Sequence, residues 1–282
     1  MRALGLIDAK GGAGIRALEN VSGIILQTRP YGESHRTAVL LTEKFGAVRV
    51  FAYGAQKARS PLYSSVQALV RGLFLLRTGD GRPGELVQGV VVDMYDALRS
   101  DLRKAAYAQA VLELALAAGR DEAQRTGARL YRATEAALAE LRGDAPGRLA
   151  VARMGLVVAQ ELGVALSCRQ CAVCGAELDD APCYSIAEGG LLCANCCAAS
   201  GASGVLRLRG AGRALWLACQ AEEAGEEARA QGRTRAAEAA GQGAASGVSE
   251  ESARLVLQVV LAHLTEYGGI VLKSLRVLDA VD

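Results

Sequence analysis

An α+β fold with more than one domain is predicted by three observations. Short β-rich runs fill the first third of the chain, apolar residues recur at 3–4 spacing after it, and two Cys-x2-Cys pairs interrupt the helical part. The expected order is a small N-terminal barrel over 21–93, a helical domain over 94–166 and 198–282, and a cysteine-bearing insert over 167–197. At 282 residues, half of them hydrophobic, the chain is long enough for separate cores and too apolar to be disordered.

Residues 1–20 are Gly/Ala-rich with no sustained period and read as a flexible leader, or as residues upstream of the natural start. Lys10 to Gly14, "KGGAG", lacks both the Gly-Lys-Ser/Thr and the preceding strand of a phosphate loop. From Val21, five β-rich runs follow: "SGIILQTRPYG", "RTAVLLTEKFG", "GAVRVFAYGA", "ALVRGLFLLRTGDG" and "ELVQGVVVD". Turn signals at Pro30-Tyr31-Gly32, Gly46, Gly54 and Gly79-Asp80-Gly81 separate them. Five short strands so spaced predict a small barrel or sandwich, of which a five-stranded Greek-key barrel of the OB type is one solution.

From Asp96 the period turns helical. "DALRSDLRKAAYAQAVLELALAAG" predicts one helix ending at Gly119, and "DEAQRTGARLYRATEAALAELRG" a second with Gly143 past its end. "PGRLAVARMGLVVAQELGV" predicts a third, with Pro146 near its start and Gly163 as its left-handed cap. After the insert, "GRALWLACQAEEAGEEARA" starts as a helix and gives way to a Gly/Ala/Glu/Arg linker over 231–247. Ser249, Glu250 and Glu251 open a last helix that runs to Gly268: a capping hydroxyl, then two acids on the positive end of the helix dipole.

The insert carries the strongest local signal. The pattern Cys171-x2-Cys174-x18-Cys193-x2-Cys196 has the spacing of a tetrahedral four-cysteine zinc site. A two-residue gap lets one tight turn aim two sulfurs at a common point, and Gly175 permits that turn. Four thiolates close the coordination shell, so one zinc ion here is structural rather than catalytic. Cys168 and Cys197 stand near enough to replace Cys171 and Cys196, but the inner set fits the Cys174-Gly175 knuckle. Cys183 and Cys219 are isolated and read as small buried residues. With no export signal the expected compartment is the cytoplasm, where stable disulfides are not expected and clustered cysteines favour metal.

Net charge is +2, unevenly spread. Residues 21–92 hold nine basic and four acidic side chains, a local excess of +5 that suits a polyanion partner. Arg29, Arg36, Arg49, Lys57, Arg59 and Arg71 are the candidate cations for such a polyanion, and Tyr31 and Tyr53 are available to stack bases if it is a nucleic acid, while Phe51 is expected in the core. Two histidines, His35 and His263, are too few and too far apart for acid–base chemistry. With no nucleophile triad and no paired carboxylates either, no enzyme is expected. The longest apolar runs are about ten residues, short of the roughly 18 that a spanning helix needs, so no membrane partner is expected.

Three separated motifs carry a resemblance. Tyr31-Gly32-Glu33-Ser34, Leu40-Leu41-Thr42, Gly46 to Arg49 and the basic run Gly54 to Ser60 resemble the start of the bacterial RecO family of recombination mediators. "CAVCG" followed by "GGLLC" resembles that family's zinc-bearing insert, and "LKSLRVL" its closing segment. The likeness covers 21–282 in order. It departs from the family at His35, where an acid is common, and in a longer 220–248 stretch. The resemblance implies an N-terminal OB-fold, a C-terminal helical domain and an inserted zinc module. It further implies binding to single- and double-stranded DNA, strand annealing, and work with RecR to load RecA onto DNA coated by single-strand-binding protein, in the cytoplasm at the nucleoid. A zinc-ribbon adaptor between proteins is the competing reading, and a nucleic-acid-modifying enzyme that holds substrate with the knuckle is a third.

Overall fold

The computed structural model describes residues 17–79, 82–119, 127–178, 183–201, 204–219 and 248–274. Five strands, β1 (Ala17–Tyr31), β2 (His35–Thr42), β3 (Gly46–Ala52), β4 (Arg71–Gly79) and β5 (Arg82–Asp93), close into a barrel in the order β1-β2-β3-β5-β4. Neighbours are antiparallel except β3 and β5, which meet in parallel at Phe51 and Glu85. That closure is the five-stranded OB solution, and it leaves no free sheet edge.

Alternation explains the barrel core. Val21, Ile25, Leu40, Val50, Phe74, Leu76 and Leu86 point inward and are buried together. Length explains the barrel's second contact. β1 and β2 carry Ile24, Leu26 and Leu41 on another side, and these join the helical core. The first four residues of β1, Ala17 to Asn20, pair with β4 at Thr78 to Leu75, so the strand reaches into what the sequence assigned to the leader. "ALEN" has no apolar alternation of its own, and pairing alone makes it a strand.

Helices α1 (Asp96–Arg99), α2 (Leu102–Ala118), α3 (Gly127–Glu140) and α4 (Gly147–Glu161) follow. The single helix expected from Asp96 is two. Asp101 is extended and its carboxylate accepts hydrogen bonds from the Arg103 and Lys104 backbone N–H groups, so it caps α2 instead of continuing α1. Gly163 does take a left-handed conformation after α4, at φ 75°. After the insert, 212–219 are helical (α6), and α7 (Glu250–Gly268) begins with the Ser249 hydroxyl accepting from Ser252 N–H. The linker 231–247 and the tail past 274 lie outside the described residues.

Two close approaches set the architecture. A Cβ on Gly127 at the start of α3 would stand 2.5 Å from the Gly46 backbone nitrogen, so the α3 start rests on the β2–β3 turn with no side chain between. A Cβ on Gly155 would stand 2.5 Å from Val260 Cγ1, so α4 and α7 also pack at short range. Arg71–Glu135, Arg132–Glu43 and Arg142–Asp93 ion pairs rim the junction of barrel and helices. Among the described residues, no helix is long and apolar enough to cross a membrane.

The insert is a second, three-stranded sheet of order β7-β6-β8, made of β6 (Cys183–Ser185), β7 (Gly190–Leu192) and β8 (Val205–Arg207), with α5 (Ala194–Ala199) after β7. Because β8 pairs with β6, the module extends past the boundary at 197 expected from the cysteine spacing. The spacing marks the paired cysteines and carries no sign of a third strand that returns to their sheet.

Candidate functional site

The first knuckle is a tight turn. Cys171 N–H donates to Ala176 O, and Gly175 N–H donates to Cys171 O, with Gly175 left-handed at φ 73°. Ala172 N–H donates to Leu191 O, which docks this turn on β7. The approach is close enough that a Cβ on Gly190 would meet Ala172 Cβ at 2.8 Å. The second knuckle is a helix start: Cys193 precedes α5, and Cys196 lies one turn in. Together they bring the sulfurs of Cys171, Cys174, Cys193 and Cys196 within 4.8 Å of one another.

This geometry fits a tetrahedral ion. Four thiolates at about 2.3 Å from a common centre stand about 3.8 Å apart, and the Cys174 and Cys193 sulfurs are 3.8 Å apart. The acidity of the thiols points the same way. Desolvation works against the Cys171 thiolate, but backbone N–H groups of Cys174, Cys193 and Val173 outweigh it and bring that thiol down to about 6. The Cys196 thiol is pushed up to about 12, first by hydrogen bonding with Cys193 and Cys174. A divalent ion at the cluster's centre would stabilise the thiolate form of all four.

The other four cysteines correct the sequence reading, which expected no disulfides and took Cys183 and Cys219 as isolated small residues. Cys168 is disulfide-bonded to Cys219, and Cys183 to Cys197. None of the four is an isolated small residue, and neither Cys168 nor Cys197 substitutes in the thiolate cluster. Cys168 and Cys219 are separated by 51 residues, and only the fold back from α4 to α6 brings them together.

The insert is tied to the helical body by a buried polar chain. The Tyr184 hydroxyl lies 3.0 Å from His263 Nδ1, and His263 Nε2 lies 2.6 Å from Val164 O. A carbonyl only accepts, so Nε2 carries the proton and Nδ1 accepts from the tyrosine. Burial pushes the His263 pKa below its ordinary value, opposed by the hydrogen bond to Val164. His263 is thus a satisfied core residue, and its partners are Tyr184 of β6 and the chain after α4. Nothing in the local sequence around His263 points to Tyr184, 79 residues away.

On the barrel, cross-strand register lines up the candidate cations. Tyr31 pairs with His35, whose ring lies 5.4 Å from that of Tyr53. Arg29 pairs with Thr37, which pairs with Phe51; Gln27 pairs with Val39, which pairs with Arg49. Directly paired residues share a face, so these three rows form one outward surface on β1, β2 and β3. The three rows themselves hold no carboxylate, and Arg29, Arg49, Tyr31 and Tyr53 are exposed on them; Glu33 in the β1–β2 turn and Glu85, the β5 partner of Phe51 held by Arg77, lie at their edge. The Tyr31 and Phe51 rings meet edge-on at 5.5 Å, and Phe51 stacks beside Tyr53 at 6.4 Å. Gln56 donates from its side chain to Gly32 O and His35 O, and His35 Nδ1 accepts from Gly54 N–H. These bonds strap the 54–60 loop to the β1–β2 turn and hold exposed Lys57 and Arg59 beside the same surface.

Two of the six cations are elsewhere. Arg36 alternates to the opposite face of β2, over the Tyr63 ring at 6.0 Å, with its Nε buried and without a hydrogen-bond partner. Arg71 is held by Glu135 of α3 at 2.7 Å and belongs to the junction with the helical domain. His35, a departure from the family pattern, joins the aromatic row; the Gly32–Ser34 turn length, which sets Tyr31 opposite His35, was the available signal.

A closed OB-type barrel joined to a helical body with a four-thiolate insert defines a multidomain OB-fold protein with a metal-ready module. Known proteins place it more narrowly. Residues 17–95 match the family model "Recombination protein O N terminal", and 99–276 match "Recombination protein O C terminal". A DNA repair protein RecO from an Exiguobacterium species is 30% identical over 93% of this chain and 96% of its own length. One from Oceanobacillus iheyensis is 26% identical over 94% of both. The chain belongs to the RecO family.

Proposed function

We propose that this protein is a DNA repair and recombination mediator that binds single- and double-stranded DNA and promotes strand annealing. With RecR it helps load RecA onto DNA coated by single-strand-binding protein, and it works at the nucleoid without catalysing a reaction. The observation that carries the reading is the outward face of β1–β3, where cations and exposed rings share three cross-strand rows that hold no carboxylate. There Arg29, Arg49, Lys57 and Arg59 attract phosphates while Tyr31 and Tyr53 offer exposed rings to unpaired bases. Arg36 and Arg71 drop out of the phosphate-binding set for the contacts described above.

The four thiolates hold one structural zinc ion through Cys171, Cys174, Cys193 and Cys196. Zinc joins the two knuckles at one centre, and the insert's apolar residues share the core of the helical body. A protein partner is favoured by a different observation: Leu73, Val90 and Val92 are each more than half exposed, side by side on the outer face of β4 and β5. That surface suits contact with a protein partner.

The test is direct. Labelled oligonucleotides titrated with purified protein should bind in both single- and double-stranded form, and complementary strands should anneal faster in its presence. No binding at low ionic strength would end the reading. Elemental analysis should find close to one zinc per chain, and less than half an equivalent with no other metal would end the metal assignment.

A further inference from the structure

We propose that the Cys168–Cys219 and Cys183–Cys197 disulfides brace the insert independently of its ion and reserve the remaining four thiols for it. The chain has eight cysteines, and the structure divides them completely: four in the thiolate cluster and four in two pairs. The Cα–Cα separations of 6.3 and 6.1 Å fall in the range a disulfide spans without backbone movement. All four paired residues are buried, so neither bond is open to casual exchange with solvent thiols.

Position gives each bond a role. Cys168 lies just before the first knuckle and Cys219 lies in α6, so the first bond ties the two ends of the insert at its base. Cys183 is in β6 and Cys197 in α5, so the second fastens the helix that carries Cys193 and Cys196 to the sheet beneath it. Without the ion, α5 stays attached to β6 through Cys197, and the first knuckle stays on β7 through Ala172 and Leu191. The bonds also settle the choice of ligands. Cys197 neighbours Cys196 and Cys168 lies three residues before Cys171; as free thiols both compete for the ion, and as cystines neither does.

The chemistry is ordinary thiol–disulfide exchange with a low-molecular-weight disulfide such as oxidised glutathione. Each protein pair loses two S–H bonds and gains one S–S bond, giving up two electrons and two protons. The small disulfide loses its S–S bond and is reduced to two thiols.

The experiment uses the full-length protein, equilibrated with oxidised glutathione, then denatured anaerobically with chelator and alkylated with N-ethylmaleimide. Intact mass should show four adducts without reductant and eight with it. Peptide mapping should recover the 168–219 and 183–197 cross-links. Eight adducts without reductant, or cross-links among Cys171, Cys174, Cys193 and Cys196, would overturn the proposal. A second arm follows the insert by hydrogen exchange. Chelation alone should leave β6 and β7 protected, while chelation with reductant should abolish that protection. Loss of protection on chelation alone overturns the bracing role. The adduct count does not depend on the metal or DNA readings, so its failure is distinguishable from theirs. It also stands if Cys168→Ser or Cys183→Ser variants do not fold.

Discussion

Neutralising Lys57 and Arg59 isolates the electrostatic part of DNA binding. Both are exposed on the loop strapped to the β1–β2 turn, and no ion pair to either is seen among the described residues. With Arg29 and Arg49 they make four cations beside one surface. If each neutralises one phosphate of a single strand, log K falls against log salt with a slope of about −2.8. Between about 50 and 200 mM salt the wild-type protein then loses affinity about 50-fold. Lys57→Gln with Arg59→Gln halves the slope to about −1.4, and the same salt step costs the variant only about 7-fold. Fluorescence anisotropy with a labelled oligothymidylate over a salt series reads both slopes. Equal slopes would mean that this loop does not meet the backbone, and the surface assigned to DNA would be wrong.

Three other outcomes follow from the same structure. Tyr31→Ala with Tyr53→Ala should weaken single-strand binding by about 1–3 kcal/mol per base unstacked while leaving the salt slope unchanged, since no charge is lost; an unaltered affinity would remove the rings from the interface. Because burial holds the His263 pKa below 6.5, the unfolded chain takes up a proton before the folded one does. Stability from this group is therefore complete above pH 6.5 and is lost as pH falls from there through the folded value. His263→Gln should flatten that part of the melting-temperature profile, and an identical profile would exclude His263 as its cause. Gly127→Ala puts a Cβ 2.5 Å from the Gly46 nitrogen and 2.7 Å from its Cα, both backbone. It should destabilise by about 1–3 kcal/mol in urea unfolding, and no change would show that the α3 start is free to move off the barrel.

Much of this protein is legible one segment at a time. Alternation at Val48, Arg49 and Val50 places Arg49 outward, and β3 bears that out because the strand needs only its two faces to be assigned. The thiolate knuckles are legible because each Cys-x2-Cys turn is closed by bonds within six residues, as Cys171 to Ala176 shows. The Ser249 cap and the Gly163 stop are equally local. The break at Asp101 was local too, but apolar spacing runs straight across it, and only the capping role of the carboxylate reveals two helices.

What the amino-acid order determined by itself was the kind of each element, the boundary where period two becomes period three to four, and the four sulfurs able to share an ion. Those are short-range matters of backbone geometry and side-chain spacing. Tertiary structure alone decided that Cys168 meets Cys219, that Tyr184 finds His263, that Arg71 is spent on Glu135 and that Arg36 faces away from Arg29 and Arg49. Each of these depends on strand register and on how barrel, helices and insert are stacked. A register shift of one residue exchanges the two faces of a strand, so a positive side chain has no assigned neighbour until the sheet has closed.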